Sequence, residues 1–332
     1  MSSDEEHHKL SNEEIGEKQA EEGLEISSPQ SSTPAELVDA INLVFGKQTH
    51  NRAIHAKGIV LEGRFLPGPS AATLSKAPHF QKVAVPVTVR FSDFAGIPTV
   101  SDTDALANPR GLAVKFHLPD GSETDLVIHS FNGFPAATTD EFRQLLIAIG
   151  SSGPGVATPT PADTYLATHP VAKSFLESQQ PPPVSYATLT YFGVNSFKFT
   201  NAQEQVSFGR YRVEPQEGNQ FLAAEEIEKA APDYLADEIR QRLARAPIRL
   251  DLRVQISEPG DKIDDPSTAW PETRRLVDIG VIEITKVVPD SEAAERALLF
   301  LPAQLPEGIE PADPMIQFRN AAYIISYGRR HQ

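Results

Sequence analysis

The chain has 332 residues, 45 acidic side chains against 30 basic ones, a formal charge of −15 and no cysteine. The lack of cysteine excludes disulfides, thiolate metal sites and cysteine nucleophiles, and an acidic chain without a basic stripe excludes a nucleic-acid backbone as partner. No run approaches the ~20 apolar residues of a membrane span, and the N-terminus has no basic segment leading into an apolar one, so no membrane contact and a cytoplasmic location are expected.

Residues 1–30 hold nine acids against Lys9 and Lys18, seven of the fifteen net charges, and no aromatic residue. Such a segment buries too little apolar surface to offset the entropy of ordering, so residues 1–32 are expected to form a disordered acidic tail and residues 33–332 a single folded domain. Order is predicted to begin at Thr33, followed by Pro34 and Glu36 in the pattern of an N-cap, a first-turn proline and a capping box. Leu37, Ile41, Leu43 and Val44 then continue a helix to about Gly46. Beyond it the period changes to two. Strands are predicted at 58–66, 83–93, 111–118, 124–129, 184–192, 196–200, 205–213, 248–257 and 277–286. The clearest is 248–257, where Ile248, Leu250, Leu252, Val254 and Ile256 alternate with Arg249, Asp251, Arg253, Gln255 and Ser257, one face buried and one wet. Helical patterns fall near 139–149, 163–178, 220–230, 233–245 and 288–298, and after Asp313. Strands so numerous, with so few helices between them, predict an α+β fold: an antiparallel β-barrel with helices packed outside it.

The glycine-rich run 150–155 follows a helix, not a strand, and lacks the Lys-Ser/Thr ending of a phosphate cradle; no histidine spacing suits zinc. In the C-terminal segment, Asp313 and Pro314 open a helix that carries Arg319 and Tyr323 four residues apart, on one face. A guanidinium beside a phenol favours the phenolate, a hard anionic ligand suited to ferric iron. Taken alone, the pair reads more readily as an arginine stacked on a tyrosine at the end of a core helix.

Several distant segments join this pair. Residues 52–58 read Arg-Ala-Ile-His-Ala-Lys-Gly before a strand; Arg90-Phe91-Ser92 and the run Asn108 to Phe116 follow; then come Asp125-Leu126-Val127, Phe197 in a Gly-x-x-Ser-Phe-Lys-Phe run, Asp265-Pro266 before Trp270-Pro271, Pro306-x-Gly308-Ile309 and Arg319-x-x-x-Tyr323. In number, spacing and order these motifs resemble the haem catalase family, from about residue 35 onward. The resemblance implies a haem b cofactor with Tyr323 as its iron ligand and Arg319 beside the phenolate. It implies His55 as the distal histidine, which takes the first proton from peroxide and returns it to the departing oxygen, and Ser92 as the residue orienting its ring. Arg52, Arg90 and Arg330 match the family's propionate arginines, Ile54 an apolar residue over the ring, and Phe134 and Phe142 pocket aromatics.

Three departures qualify the likeness. The position of a peroxide-binding asparagine is His129, with Asn132 three residues out of register, and both are candidate catalytic residues. A histidine expected before the Ser-Phe pair is Asn195. The sequence stops nine residues after Tyr323, where full-length catalases continue, so no dinucleotide site is expected. A short catalase-like core resembles the catalase-related peroxidases. This implies reduction of hydrogen peroxide or organic hydroperoxides through a ferryl state with small organic electron donors, in a monomer or homodimer. A true catalase, a lipid-hydroperoxide isomerase resembling allene oxide synthase, and a non-enzymatic haem-binding module are the alternatives; His55 and Ser92 speak against the last, since a binder needs no acid-base group.

Overall fold

A computed structural model describes residues 32–332 of the chain. The expected disorder of the acidic tail therefore lies outside the described residues, except at Ser32, whose backbone N–H donates to Asp140 at 2.6 Å. Thr33 caps helix α1 (Pro34–Phe45) as predicted, its backbone N–H donating to the Glu36 carboxylate and its side chain accepting from the Glu36 N–H. Such a cap contributes about 1 kcal/mol. The buried stripe of α1 is Leu37, Val38, Ile41 and Phe45; Leu43 faces outward.

Ten strands follow: β1 (Gly58–Pro67), β2 (Val85–Ser92), β3 (Gly111–His117), β4 (Glu123–His129), β5 (Tyr191–Phe192), β6 (Phe197–Thr200), β7 (Val206–Pro215), β8 (Ile248–Ile256), β9 (Leu276–Val287) and β10 (Ile309–Pro311). Eight of them close into an antiparallel barrel, running β7, β5, β4, β3, β2, β1, β9, β8 and back to β7. Closure removes the free edges that an open sheet would expose. β5 pairs with the second half of β7 and β6 with the first half, and β6 carries β10 on its outer side. The interior is filled by Ile59, Leu61, Phe65, Val87, Val89, Phe91, Leu112, Val114, Leu126, Ile128, Leu250, Leu252 and Val254 among others, in one continuous core.

Three predicted elements differ. The stretch 184–192 is a turn, Tyr186–Thr188, before the two residues of β5, because Ser185 Oγ accepts the Ala187 N–H and Thr188 Oγ1 accepts the Ser185 N–H, satisfying the backbone locally. The helix expected over 163–178 is two, α3 (Pro161–Thr168) and α4 (Pro170–Glu177), since Pro170 lacks the N–H that would continue the first. Of 220–230, only Ala224–Ile227 is helical. The remaining helices longer than one turn are α2 (Thr139–Gly150), α5 (Tyr234–Leu243), α6 (Ser291–Ala297) and α7 (Met315–Arg330). α1 packs on α2 and α7 in a second apolar cluster that joins Leu37, Ile41, Phe45, Leu146 and Ala322. This helical layer lies on the outside of β2, β3 and β4. No described helix is long and apolar enough to cross a membrane.

Candidate functional site

The period of two explains where the site lies. Along β2, Val85, Val87, Val89 and Phe91 point into the barrel, yet Arg90 and Ser92 on the other face are buried as well. The same holds for Ala113 on β3, while Val127 and His129 stand on the outer face of β4. The outer face is buried because the helical layer covers it, and between the two lies a mainly apolar cavity. Register orders its floor in rows: Ser92 pairs with Gly111 and Gly111 with His129, while Arg90 pairs with Ala113 and Ala113 with Val127. In these two rows the middle strand thus offers only glycine and alanine, between Arg90 and Ser92 on one side and Val127 and His129 on the other.

His55 sits just before β1 with φ 56°, a left-handed conformation that costs a residue other than glycine roughly 1–2 kcal/mol. Three backbone hydrogen bonds hold it there: His55 N–H to Phe94 O at 2.7 Å, Ala56 N–H to Ala95 O at 3.0 Å and Asp93 N–H to Lys57 O at 3.0 Å. Its ring stands edge-on to Phe94, and its Nδ1 lies 3.0 Å from Ser92 Oγ. The ring also rests over Gly111, where a Cβ would come within 2.8 Å of Nδ1. Burial, followed by repulsion from Arg90 and His129, pushes the His55 pKa down to about 3, so the imidazole is neutral at physiological pH.

His129 is likewise pushed down to about 3, by burial and then by Arg319. Its Nδ1 accepts the Phe131 N–H at 3.3 Å, which places the proton of the neutral ring on Nε2. That buried Nε2 has no partner among the described residues. Phe134 and Phe175 flank the ring, each 6.4 Å from it, and Phe134 packs on Phe142.

α7 supplies the second group. One nitrogen of Arg319 donates to the Tyr323 hydroxyl at 2.9 Å and to Val127 O, and the other donates to Asn195 Oδ1. Asn195 Nδ2 donates to Asp313 Oδ2 at 2.6 Å, and Asp313 Oδ1 caps α7 through the Met315 N–H. The chain Asp313, Asn195, Arg319, Tyr323 therefore fixes the phenol from the start of its own helix. At another part of the wall, Arg52, Arg90 and Arg330 bring three guanidiniums together.

The predicted residues Arg52, Ile54, His55, Arg90, Ser92, His129, Phe134, Phe142, Arg319, Tyr323 and Arg330 all line this one cavity. Asn132 does not. It is exposed, and its amide donates to Glu272 at 2.9 Å, because β4 ends at His129 and the chain turns away. Sequence reasoning missed Phe175 and Phe94, which no spacing signal marked, and Glu295, which reaches both Arg52 and Arg90.

A closed antiparallel barrel with two imidazoles, a phenol and a guanidinium cluster converging on an apolar cavity at one covered outer face is an enzyme-type scaffold. The chain belongs to the catalase family: the model of that family, Catalase, matches residues 34–331. It is 38% identical over 298 residues to a catalase-related peroxidase of Mycolicibacterium paratuberculosis, an alignment covering 89% of this chain and 93% of that protein. A catalase-related peroxidase of Synechococcus elongatus is 33% identical over 304 residues, 90% of this chain and 88% of that one. In fold it is similar to catalase A of Saccharomyces cerevisiae, with a TM-score of 0.75 at 20% identity, covering 92% of this chain and 66% of the yeast one.

The catalase family binds haem, and the donor set agrees. The mainly apolar cavity over Ala113 and Val127 leaves room for a flat ring, a phenol oxygen suits ferric iron, and three arginines suit two carboxylates. The orphaned His129 Nε2 and Arg330 Nε are buried donors of the kind that a bound group satisfies.

Proposed function

We propose that the protein is a haem b peroxidase of the catalase-related type, reducing hydrogen peroxide or organic hydroperoxides at the expense of small organic donors. The observation that carries this reading is the convergence of His55, Ser92 and His129 with Arg319 and Tyr323 on one cavity, in a chain whose relatives carry the name catalase-related peroxidase. Tyr323 would hold the iron, and Arg52, Arg90 and Arg330 would hold the propionates. When bound, haem supplies the redox-active metal at which the peroxide O–O bond is cleaved.

This chain's residues do the proton work. Neutral His55 accepts a proton from one peroxide oxygen at Nε2 and returns it to the other, which leaves as water or an alcohol. Ser92 Oγ accepts from Nδ1–H throughout, keeping the ring oriented while its charge changes. His129 Nε2–H donates to the peroxide, the part an amide would otherwise play, and Phe134, Phe142 and Phe175 keep the surroundings apolar. Arg319 donates to the phenol oxygen and keeps it pointed by way of Asn195.

The test is to reconstitute the purified protein with hemin, record its spectrum, add peroxide, and follow oxygen release and donor oxidation together. Donor oxidation is expected to dominate; vigorous oxygen release without a donor would make the protein a true catalase. Since His55 titrates near 3, the rate of the first peroxide step is expected to stay flat between about pH 5 and 8. An inflection near the ordinary histidine value would contradict the neutral, desolvated ring. Gly111→Ala places a Cβ 2.5 Å from Ser92 Oγ and is expected to displace the Ser92–His55 pair, lowering that rate by up to about 10²-fold. Haem binding should survive, as stopped-flow and the Soret band would show.

A further inference from the structure

The arginine cluster is organised by a side chain that no motif announced. Arg52, Arg90 and Arg330 are all shielded from solvent, the last two only 4% and 7% exposed. Three such charges repel: the pKa values of Arg52 and Arg330 are pushed down, first by burial and then by Arg90. One carboxylate meets them. Glu295 accepts from Arg90 Nε with both oxygens at 2.8 Å and from Arg52 at 2.7 Å. The end of the same helix, α6, gathers the cluster further, since Leu298 O accepts from Arg52 at 2.8 Å and from Arg330 at 2.6 Å. A carbonyl at a helix C-terminus carries partial negative charge, which suits that role.

Glu295 is not itself among the residues lining the cavity, although both of its arginine partners are. Three positive charges and one negative leave an excess of two, the charge of a group with two carboxylates. Resting on the haem reading above, we infer that Glu295 is a positioning residue for the cofactor: a resident counter-ion that fixes Arg52 and Arg90 and sets the site's net charge to match the two propionates. Without it, three guanidiniums would face one another, and a dianionic ligand would offset two of the three charges.

The experiment compares the wild-type protein with Glu295→Gln by thermal melting, each alone, with hemin, and with hemin whose propionates are esterified. The variant without ligand is expected to melt at least about 5 °C below the wild type, because breaking a buried pair strands its cations. Hemin should recover most of that difference, and the diester should recover none. Glu295→Asp, which keeps the charge, should fall between the two. If Glu295→Gln does not fold alone, refolding with hemin but not with the diester gives the same answer. An unchanged melting temperature without ligand, or equal recovery by hemin and diester, would reduce Glu295 to an ordinary ion pair and overturn the inference. If the wild type bound neither form of hemin, the haem reading itself would fall, and with it the role assigned here.

Discussion

Replacing His55 with alanine is expected to lower the rate of reaction with peroxide by about 10²–10⁴-fold, the usual contribution of a positioned acid-base group. The loss follows from geometry. His55 is the cavity imidazole whose Nδ1 is bound by a hydroxyl and whose ring is fixed between Phe94 and Gly111. His129 cannot take over, because its Nδ1 already accepts from Phe131 and its Nε2 carries the proton. The three backbone hydrogen bonds around residue 55 do not involve the side chain, so the loop should persist in the variant. Rapid mixing of the hemin-loaded variant with peroxide checks the prediction. A protein that only carries haem would show no change.

Tyr323→Phe is expected to have the largest effect of all: loss of stable haem binding and, with it, of the reaction. The substitution removes one oxygen and leaves the ring, so cavity shape and the stacking of Arg319, 5.6 Å from the ring centroid, are preserved. What disappears is the oxygen proposed to hold the iron, together with an acceptor for Arg319, whose stranded donor costs about 1–3 kcal/mol. The measurement is the ratio of Soret to protein absorbance after gel filtration of hemin-loaded protein. Wild-type retention in the variant would remove Tyr323 as the ligand.

How much of this was legible in the sequence depended on the range of the forces involved. The strand 248–256 was readable because its alternation is a local consequence of one face being buried; Ile248, Leu250, Leu252 and Val254 are all inside. Arg319 and Tyr323 were readable because helical spacing fixes their shared face, and the hydrogen bond between them follows. The stretch 184–192 misled because its apolar residues also alternate, while the competing side-chain hydrogen bonds of Ser185 and Thr188 leave no trace in hydrophobic pattern. Asn132 misled for another reason. Similarity in kind to an expected asparagine outweighed register, and a shift of three residues past the end of β4 carries a side chain to the surface. Glu295 was invisible because nothing local separates it from Glu292, four residues from Arg296 on the exposed side of the same short helix. Only the tertiary arrangement brings it to Arg52, 243 positions away in sequence.

The rows of paired residues on β2, β3 and β4 have a consequence for the order in which the molecule is made. Ser92, Gly111 and His129 come from neighbouring hairpins and can come into register early, but Arg319 and Tyr323 lie on α7, after every barrel strand, and Arg90 finds Glu295 only when α6 docks. A ribosome releases these parts in sequence order. The floor of the site can thus exist while Tyr323, the proposed iron ligand, is still within the exit tunnel, and on that proposal a growing chain cannot coordinate metal before its barrel strands have emerged. Cofactor capture is in this way deferred to chains that have passed through the slow, long-range pairing of the barrel.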